Sequence, residues 1–313
     1  MKYRTLGSTG LHVSVIGVGT WQFGDEWGKA FEQAEVDAMF DAAREVGINL
    51  IDTAECYGDH KSEAFIGKAV ERDRERWVLA TKFGHKFHEP FSRTEPRSPQ
   101  DVVAQLDDSL VALRTDYVDL WQYHSWGDSQ FFDEDVLAAV HKCKDAGKVR
   151  HLGNSVGSNT NVKQLEASKR MGLEAIQIIY NRLDRAPEAA ALPTCREQDL
   201  GVLVRLPLAS GYLSGKYTPD SKFDANEVRG KWHSDDKRRS QIEAAMKIKV
   251  EEVPDGVPMA QWALAWVLQH DAVTCVIPGC KSVDQVRDNA AAADLDAMVR
   301  ADHPQAAASP VSA

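Results

Sequence analysis

The sequence predicts an α/β chain folded as a (β/α)8 barrel of the TIM type, with an N-terminal β-hairpin at the barrel bottom. Three observations carry this. Eight short apolar runs alternate with eight longer runs of helical pattern along the 313 residues. Several of the short runs are apolar at consecutive positions, which suits strands covered on both faces by helices. The competing architecture is an open doubly wound sheet that binds a dinucleotide, and it would usually show GxGxxG in its first turn. Here Gly17-Val-Gly19-Thr-Trp-Gln22 puts Gln22 where the third glycine belongs, so the barrel is favoured.

The elements follow in order. Residues 2–5 and 12–15 flank Gly7-Ser-Thr-Gly10, a turn with glycine at both ends, and read as the hairpin. The barrel strands are VSVIGVG (13–19), INLIDT (48–53), WVLATK (77–82), YVDLWQYH (117–124), VRHLGNS (149–155), AIQIIYN (175–181), GVLVRLP (201–207) and VTCVIPG (273–279). Helices are expected over 35–46, 62–70, 99–113, 132–146, 161–171, 188–198, 258–269 and 283–292. Ser62 offers the polar side chain of a helix start, and Gly47, Gly147 and Gly172 follow helical runs as C-terminal stops would. The longest insertion, 208–256, follows the seventh strand and holds a helical piece near 239–252. In a barrel it lies at the active-site face, where long loops tend to be functional. Residues 1–300 are expected to form one unit, and the small polar tail 301–313 is expected to be disordered.

Composition narrows the function classes. Lys and Arg number 37 against 47 Asp and Glu, a net charge of −10. That argues against a nucleic-acid or anionic-membrane partner, which needs a basic footprint. No apolar run reaches the roughly 18 residues of a membrane span, and the start MKYRTLGSTGLHVS lacks the apolar core of a secretory signal. The five cysteines are scattered and form no CxxC, which points to a reducing cytoplasm and no disulfide framework. No metal is expected. His85-x2-His88 has no further ligand at a finger-like spacing, and a polar loop after the third strand is the preferred reading.

In barrels the chemistry sits at the C-terminal ends of the strands. Those ends carry Gly19-Thr20-Trp21, Asp52, Lys82, His124, Asn154-Ser155, Gln177, Arg205 and Gly279. Asp52, Lys82 and His124 end successive strands, and Tyr57 lies five residues past Asp52. Lys82 and Asp52 can pair in the barrel mouth, with the Tyr57 phenol beside the ammonium. A nearby cation favours phenolate and is expected to lower the tyrosine pKa from ~10, making it a usable acid. His124 can hold a substrate oxygen close to it. This suits proton delivery to an oxygen gaining charge as hydride adds to a carbonyl. Taken singly, Asp52 and Lys82 also fit a structural ion pair, Tyr57 a packing tyrosine and His124 a core histidine. Convergence on one rim favours the catalytic reading.

The stretches YRTLGSTGLHVSVIGVGTW, INLIDTAECYG, LATKFG, YVDLWQYH, PLASGYLSGKY and IPGCKSVDQVRDN together resemble the aldo-keto reductases, over nearly the whole chain. The resemblance implies a nicotinamide dinucleotide, usually NADPH, bound extended at the strand C-terminal face, and reduction of an aldehyde or ketone. It implies Tyr57 as general acid, Lys82 as its activator, Asp52 as the partner of Lys82, and His124 as the group that orients the carbonyl. Gly19, Thr20 and Trp21 resemble the first-strand lip that touches cofactor and substrate. Ser155 and Gln177 resemble the pair that bonds the nicotinamide carboxamide. The family's Gly-x-Ser-Asn reads Gly153-Asn-Ser-Val156 here, so the asparagine is missing and Asn154 lies on the other side of the serine. Arg205 stands where many relatives have an aromatic, and its planar guanidinium can also stack on the ring. Pro207, Leu208, Ala209, Ser210 and Lys216 resemble the loop around the pyrophosphate.

At the far end Gly279 ends the eighth strand, and the last helix is expected to start near Ser282 with its N–H groups facing the rim. Lys281 and Ser282 then suit a 2′-phosphate, while Gln285 and Asn289, four apart, suit the adenine and its ribose. Asp288 pulls the other way, because an acid near the ribose can favour NADH. NADPH is the expected cofactor and a small carbonyl compound the expected substrate. Two other functions compete. One is a cofactor-binding regulatory subunit with little turnover. The other is an aldolase with Lys82 as Schiff-base nucleophile. Cys56 beside Tyr57 is a possible nucleophile but has no His nearby in sequence. Trp27 and Trp126 fall on loops near the rim and suit either pocket walls or packing.

Overall fold

The computed structural model describes residues 1–96 and 98–295. The expected tail at 301–313 and the last residues of the 1–300 unit lie outside them. Strands β1 (Tyr3–Thr5) and β2 (His12–Ser14) form an antiparallel hairpin. Eight parallel strands follow: β3 (Val18–Gly19), β4 (Leu50–Asp52), β5 (Val78–Phe83), then β8 (Val118–His124), β9 (Val149–Ser155), β10 (Ala175–Ile179), β11 (Gly201–Arg205) and β12 (Cys275–Val276). Between β5 and β8 lies an antiparallel hairpin, β6 (Lys86–Glu89) and β7 (Ser92–Thr94), where the sequence suggested only a polar loop. The ring closes where Gly17 N donates to Val276 O at 2.8 Å, Val276 N to Val15 O at 3.0 Å and Gly19 N to Pro278 O at 3.1 Å. A Cβ at Gly19 would stand 2.5 Å from Ile277 O, so the seam requires glycine there.

The helices alternate with these strands. They are α1 (Gln33–Glu45), α2 (Lys61–Val70), α3 (Pro99–Leu113), α4 (Asp128–Phe131), α5 (Glu134–Asp145), α6 (Lys163–Ser168), α7 (Ala191–Glu197), α8 (Val228–Trp232), α9 (Asp235–Glu251), α10 (Met259–Leu268) and α11 (Val283–Ala291). Ser98, Asp133, Ser234 and Ser282 cap α3, α5, α9 and α11 by accepting backbone N–H bonds. The expected helix over 132–146 is broken at Asp133, whose carboxylate caps α5. Ser62 does not start a helix. His60, in the left-handed region at φ 63°, is the N-cap of α2, and Ser62 lies inside it. Its Oγ is 2.9 Å from Thr20 Oγ1 and 3.0 Å from Thr53 Oγ1, which ties α2 to the ends of β3 and β4.

Strand side chains alternate between two faces, and that alternation builds the two cores. Outward residues such as Ile51, Leu79, Trp121, Ile176, Val202 and Val276 pack against the helices. Inward residues Leu50, Val78, Ala80, Leu120, Ala175, Leu203 and Cys275 fill the lower barrel. Leu6 and Val13 of the hairpin join this inner cluster and plug the bottom. The plug is tight, because a Cβ at Gly201 would lie 2.5 Å from Leu6 Cδ1.

Candidate active site

One step further along each inward row the residues turn polar. Asp52 follows Leu50, Lys82 follows Ala80, Gln122 and His124 follow Leu120, Gln177 follows Ala175 and Arg205 follows Leu203. The same alternation that makes the inner core therefore gathers these groups at the C-terminal mouth. Lys82 is fully buried and uses all three ammonium protons. It donates to Asp52 Oδ2 at 2.8 Å, to Thr53 O at 2.6 Å and to the Tyr57 hydroxyl oxygen at 3.3 Å. Asp52 Oδ1 accepts from Gln177 Nε2 at 2.6 Å and Gln122 Nε2 at 3.3 Å. Gln122 was not singled out in the sequence, although it lies two residues before His124 on the same face.

Burial works against the Lys82 ammonium, but Asp52 and Tyr57 outweigh it and hold the group above its ordinary value. It stays cationic, which is the wrong state for a Schiff-base nucleophile. Tyr57 differs from the sequence expectation. Burial outweighs the neighbouring ammonium and pushes the phenol up to about 12, so it stays protonated. Its oxygen accepts from Lys82, which leaves its own proton free for another acceptor. His124 is held well below its usual value by burial, with His85, Lys82, Arg205 and Arg93 adding to the effect, and is a neutral imidazole. Its ring centroid is 6.1 Å from that of Tyr57.

These groups border a cavity of about 430 Å³ that runs along the rim. Gly19, Thr20, Trp21, Asp52, Tyr57, His124, Gln177 and Arg205 line it, as do Pro207, Leu208, Ser210, Lys216, Gly279, Lys281, Gln285, Asp288 and Asn289. Lys82, Ser155, Ala209 and Ser282 do not reach the lining. Lys82 lies beneath Tyr57, and Ser155 Oγ donates to Gln177 Oε1 at 3.3 Å from below. Ala209 is buried within the loop, and Ser282 is used as the cap of α11. Asn154 points outward, as alternation requires, and donates to Gln164 Oε1 at 3.0 Å. Arg205 donates to Val156 O at 3.1 Å. Lys281 donates to Trp27 O at 2.6 Å.

The loop from 206 to 211 has left-handed backbone at Leu206, Ala209, Ser210 and Gly211. Left-handed conformations at residues other than glycine are costly, and they cluster at ligand sites. Several wall residues were not legible beforehand. Arg229 and Trp232 come from α8 in the long insertion, and Arg93 from the β6–β7 hairpin. The Trp232 ring is 5.6 Å from Trp21 and 5.4 Å from Phe91. Glu26 accepts from Trp21 Nε1 at 2.6 Å, Arg93 Nη2 at 2.5 Å and Phe91 N at 2.8 Å, which holds these walls together. Trp27 lines the cavity, whereas Trp126 is buried and donates to Gly84 O at 2.8 Å. His88 bonds Thr94, and the His85 ring is 4.7 Å from that of His124.

A lysine–tyrosine–aspartate set with a histidine on a parallel barrel mouth is now joined by a direct comparison. The model of the Aldo/keto reductase family matches residues 15–307. The chain belongs to the aldo/keto reductase family. It is similar to the aldo-keto reductase YhdN of Bacillus subtilis, with 30% identity covering 91% of this chain and 87% of that one. An NADH-specific methylglyoxal reductase of Escherichia coli is also 30% identical, covering 95% and 94%. Among solved structures, the holo form of aldo-keto reductase AKR11C1 from Bacillus halodurans superposes with a TM-score of 0.78 at 30% identity, covering 96% of each chain. This aldo/keto reductase is therefore an NAD(P)H-dependent oxidoreductase acting on small carbonyl compounds. Among the described residues no helix is long and apolar enough to cross a membrane, and all five cysteines are free and buried.

Proposed function

We propose that this enzyme reduces an aldehyde or ketone to the alcohol with NADPH, and that Tyr57 is the general acid. The observation that carries the reading is the arrangement at Lys82: its three protons go to Asp52, Thr53 O and Tyr57, so the phenol accepts from a fixed cation and keeps its own proton for the substrate. When bound, the nicotinamide supplies the hydride. The cavity supports an extended cofactor. Lys216, Lys281, Gln285 and Asn289 give its lining polar groups for phosphates and an adenosine, in the same cavity as Tyr57, His124 and Gln177.

The chain's own groups do the rest. Neutral His124 can donate a hydrogen bond to the carbonyl oxygen and hold it near the phenol. As negative charge grows on that oxygen, Tyr57 delivers its proton, and Lys82 stabilises the phenolate left behind. Gln177 is fixed by Asp52 and can meet the carboxamide. Trp21, Trp27 and Trp232 give the cavity an aromatic wall. Mixing the protein with NADPH and an aldehyde such as a nitrobenzaldehyde should give NADPH oxidation. If NADPH binds and no carbonyl substrate oxidises it, the regulatory-subunit reading gains.

A further inference from the structure

Beside the acid, on the wall of the same cavity, three residues bring metal-ligand atoms together. A carboxylate oxygen of Glu55, Sγ of Cys56 and a ring nitrogen of His124 lie within 4.8 Å of one another. Sγ is 3.7 Å from His124 Nδ1. Glu55 is 97% buried, by its 3% exposure. Its Oε1 accepts from His85 N at 3.0 Å, and its Oε2 has no hydrogen-bond partner among the described residues. A buried carboxylate oxygen left unpaired is unfavourable, and nothing in the reductase chemistry uses it.

We propose that Glu55, Cys56 and His124 form a site for a thiophilic divalent cation, Zn2+ being the best fit, and that its occupancy inhibits the enzyme. The donor set decides the class of ion. One sulfur, one imidazole nitrogen and one carboxylate oxygen suit zinc, whereas magnesium and calcium take oxygen ligands. Zinc accepts three protein ligands and leaves a fourth position open, with bonds of about 2.0–2.3 Å. Ligand atoms then stand roughly 3.3–3.8 Å apart in a tetrahedron, so separations that lie within 4.8 Å here must close by at most about 1–1.5 Å, within reach of side-chain rotation. On binding, the Cys56 thiol and the Glu55 carboxyl, which burial pushes up to about 8, each lose a proton to solvent. The thiolate and the Glu55 carboxylate then balance the dication in a site where an uncompensated charge is costly.

Cys56 and His124 line the cavity and Glu55 sits behind them. The ion therefore enters from the substrate side, and its open position faces the space a carbonyl oxygen would occupy. Binding of the ion is independent of the proposed reductase mechanism; inhibition rests on it.

The two parts are tested separately. The full-length protein is equilibrated with Zn2+, freed of excess by gel filtration and assayed for bound metal. One zinc per chain is expected, with at least a tenfold loss of affinity in Cys56→Ser and in Glu55→Gln. Cys56→Ser keeps Cys143, Cys195, Cys275 and Cys280, so it separates this site from adventitious thiol binding. Co2+ in place of zinc should give a thiolate-to-cobalt absorption band that Cys56→Ser abolishes. Thermal melting and NADPH binding check that the variants fold, and Cys56→Ala replaces any that does not. Absence of the band in wild type, or equal zinc retention by Cys56→Ser, overturns the site. Zinc should also inhibit aldehyde reduction in wild type and spare Cys56→Ser. Specific binding without inhibition would leave the site standing and refute the role given to His124.

Discussion

Lys82→Met separates what the buried ion pair does for stability from what it does for chemistry. Lys82 and Asp52 have side-chain exposures of 0% and 4% and meet at 2.8 Å. Methionine fills nearly the same volume but removes the cation. Asp52 then keeps two amide donors, Gln177 at 2.6 Å and Gln122 at 3.3 Å, and no balancing charge. Removing one partner of a buried pair costs about 3–5 kcal/mol. At roughly 2–4 °C per kcal/mol for a large domain, Tm should fall by roughly 6–20 °C. Adding Asp52→Asn removes the orphaned charge, so the double variant should regain most of that loss. Turnover should not return, because Tyr57 still lacks its cation; a deficit of ~10²–10⁴ is expected in both variants. Calorimetry gives Tm, NADPH fluorescence gives cofactor binding, and NADPH oxidation with an aldehyde gives turnover. A single variant that melts like wild type, or a double variant as unstable as the single, would refute the buried-charge reasoning. Recovery of turnover in the double variant would refute the catalytic role of Lys82.

Three further outcomes are expected. Tyr57→Phe should lower kcat by ~10²–10⁴ while leaving NADPH binding unchanged, and full turnover would exclude it as the acid. Because the phenol is pushed up to about 12, the acid is present below that value and is lost only as pH rises through it. The rate with an aldehyde should therefore stay level across neutral and mildly alkaline pH, and a fall centred near neutrality would show that Tyr57 is not held in this way. Lys281→Ala should weaken NADPH about tenfold or more, the ~1.5–3 kcal/mol of one charge-assisted contact, and barely change NADH; equal losses on titration would show that Lys281 does not read the 2′-phosphate.

What the sequence made legible and what it hid follow from distance along the chain. Strand alternation is local, and it places Leu50 with Asp52, Ala80 with Lys82 and Leu203 with Arg205 on one face without any knowledge of packing. The barrel mouth could therefore be read from the ends of the runs, and Gln122 was available by the same rule. Ser62 could not be read this way. Serine is favoured at helix starts, but its hydroxyl here is claimed by Thr20 and Thr53 from two strands, and His60 takes the cap. Cys56 looked isolated because its imidazole partner is 68 residues away. The phenol of Tyr57 was expected to be lowered because the lysine is a visible neighbour, whereas burial, the larger effect, comes from Trp21 and the rest of the wall folding over it. The walls supplied by Trp232 and Arg93 come from a long insertion and a short hairpin with no period to announce them.

The polar layer at the barrel mouth makes its own case for function. Below it, the interior is closed by Leu50, Ala80, Leu120, Ala175 and Leu203, and the same positions one step higher could be filled in the same way. Replacing a buried ion pair with well-packed apolar groups is often neutral or stabilising by about 1–4 kcal/mol. A layer of Asp52, Lys82, Gln122 and Gln177 is thus not what stability alone would choose. Four strands contribute to it, every ammonium proton of Lys82 is used, and both oxygens of Asp52 are engaged. Such complete satisfaction fixes geometry, because moving any one member leaves another buried polar group unpaired. What it fixes is the position of a single phenol at the edge of a cavity, with a cation behind it.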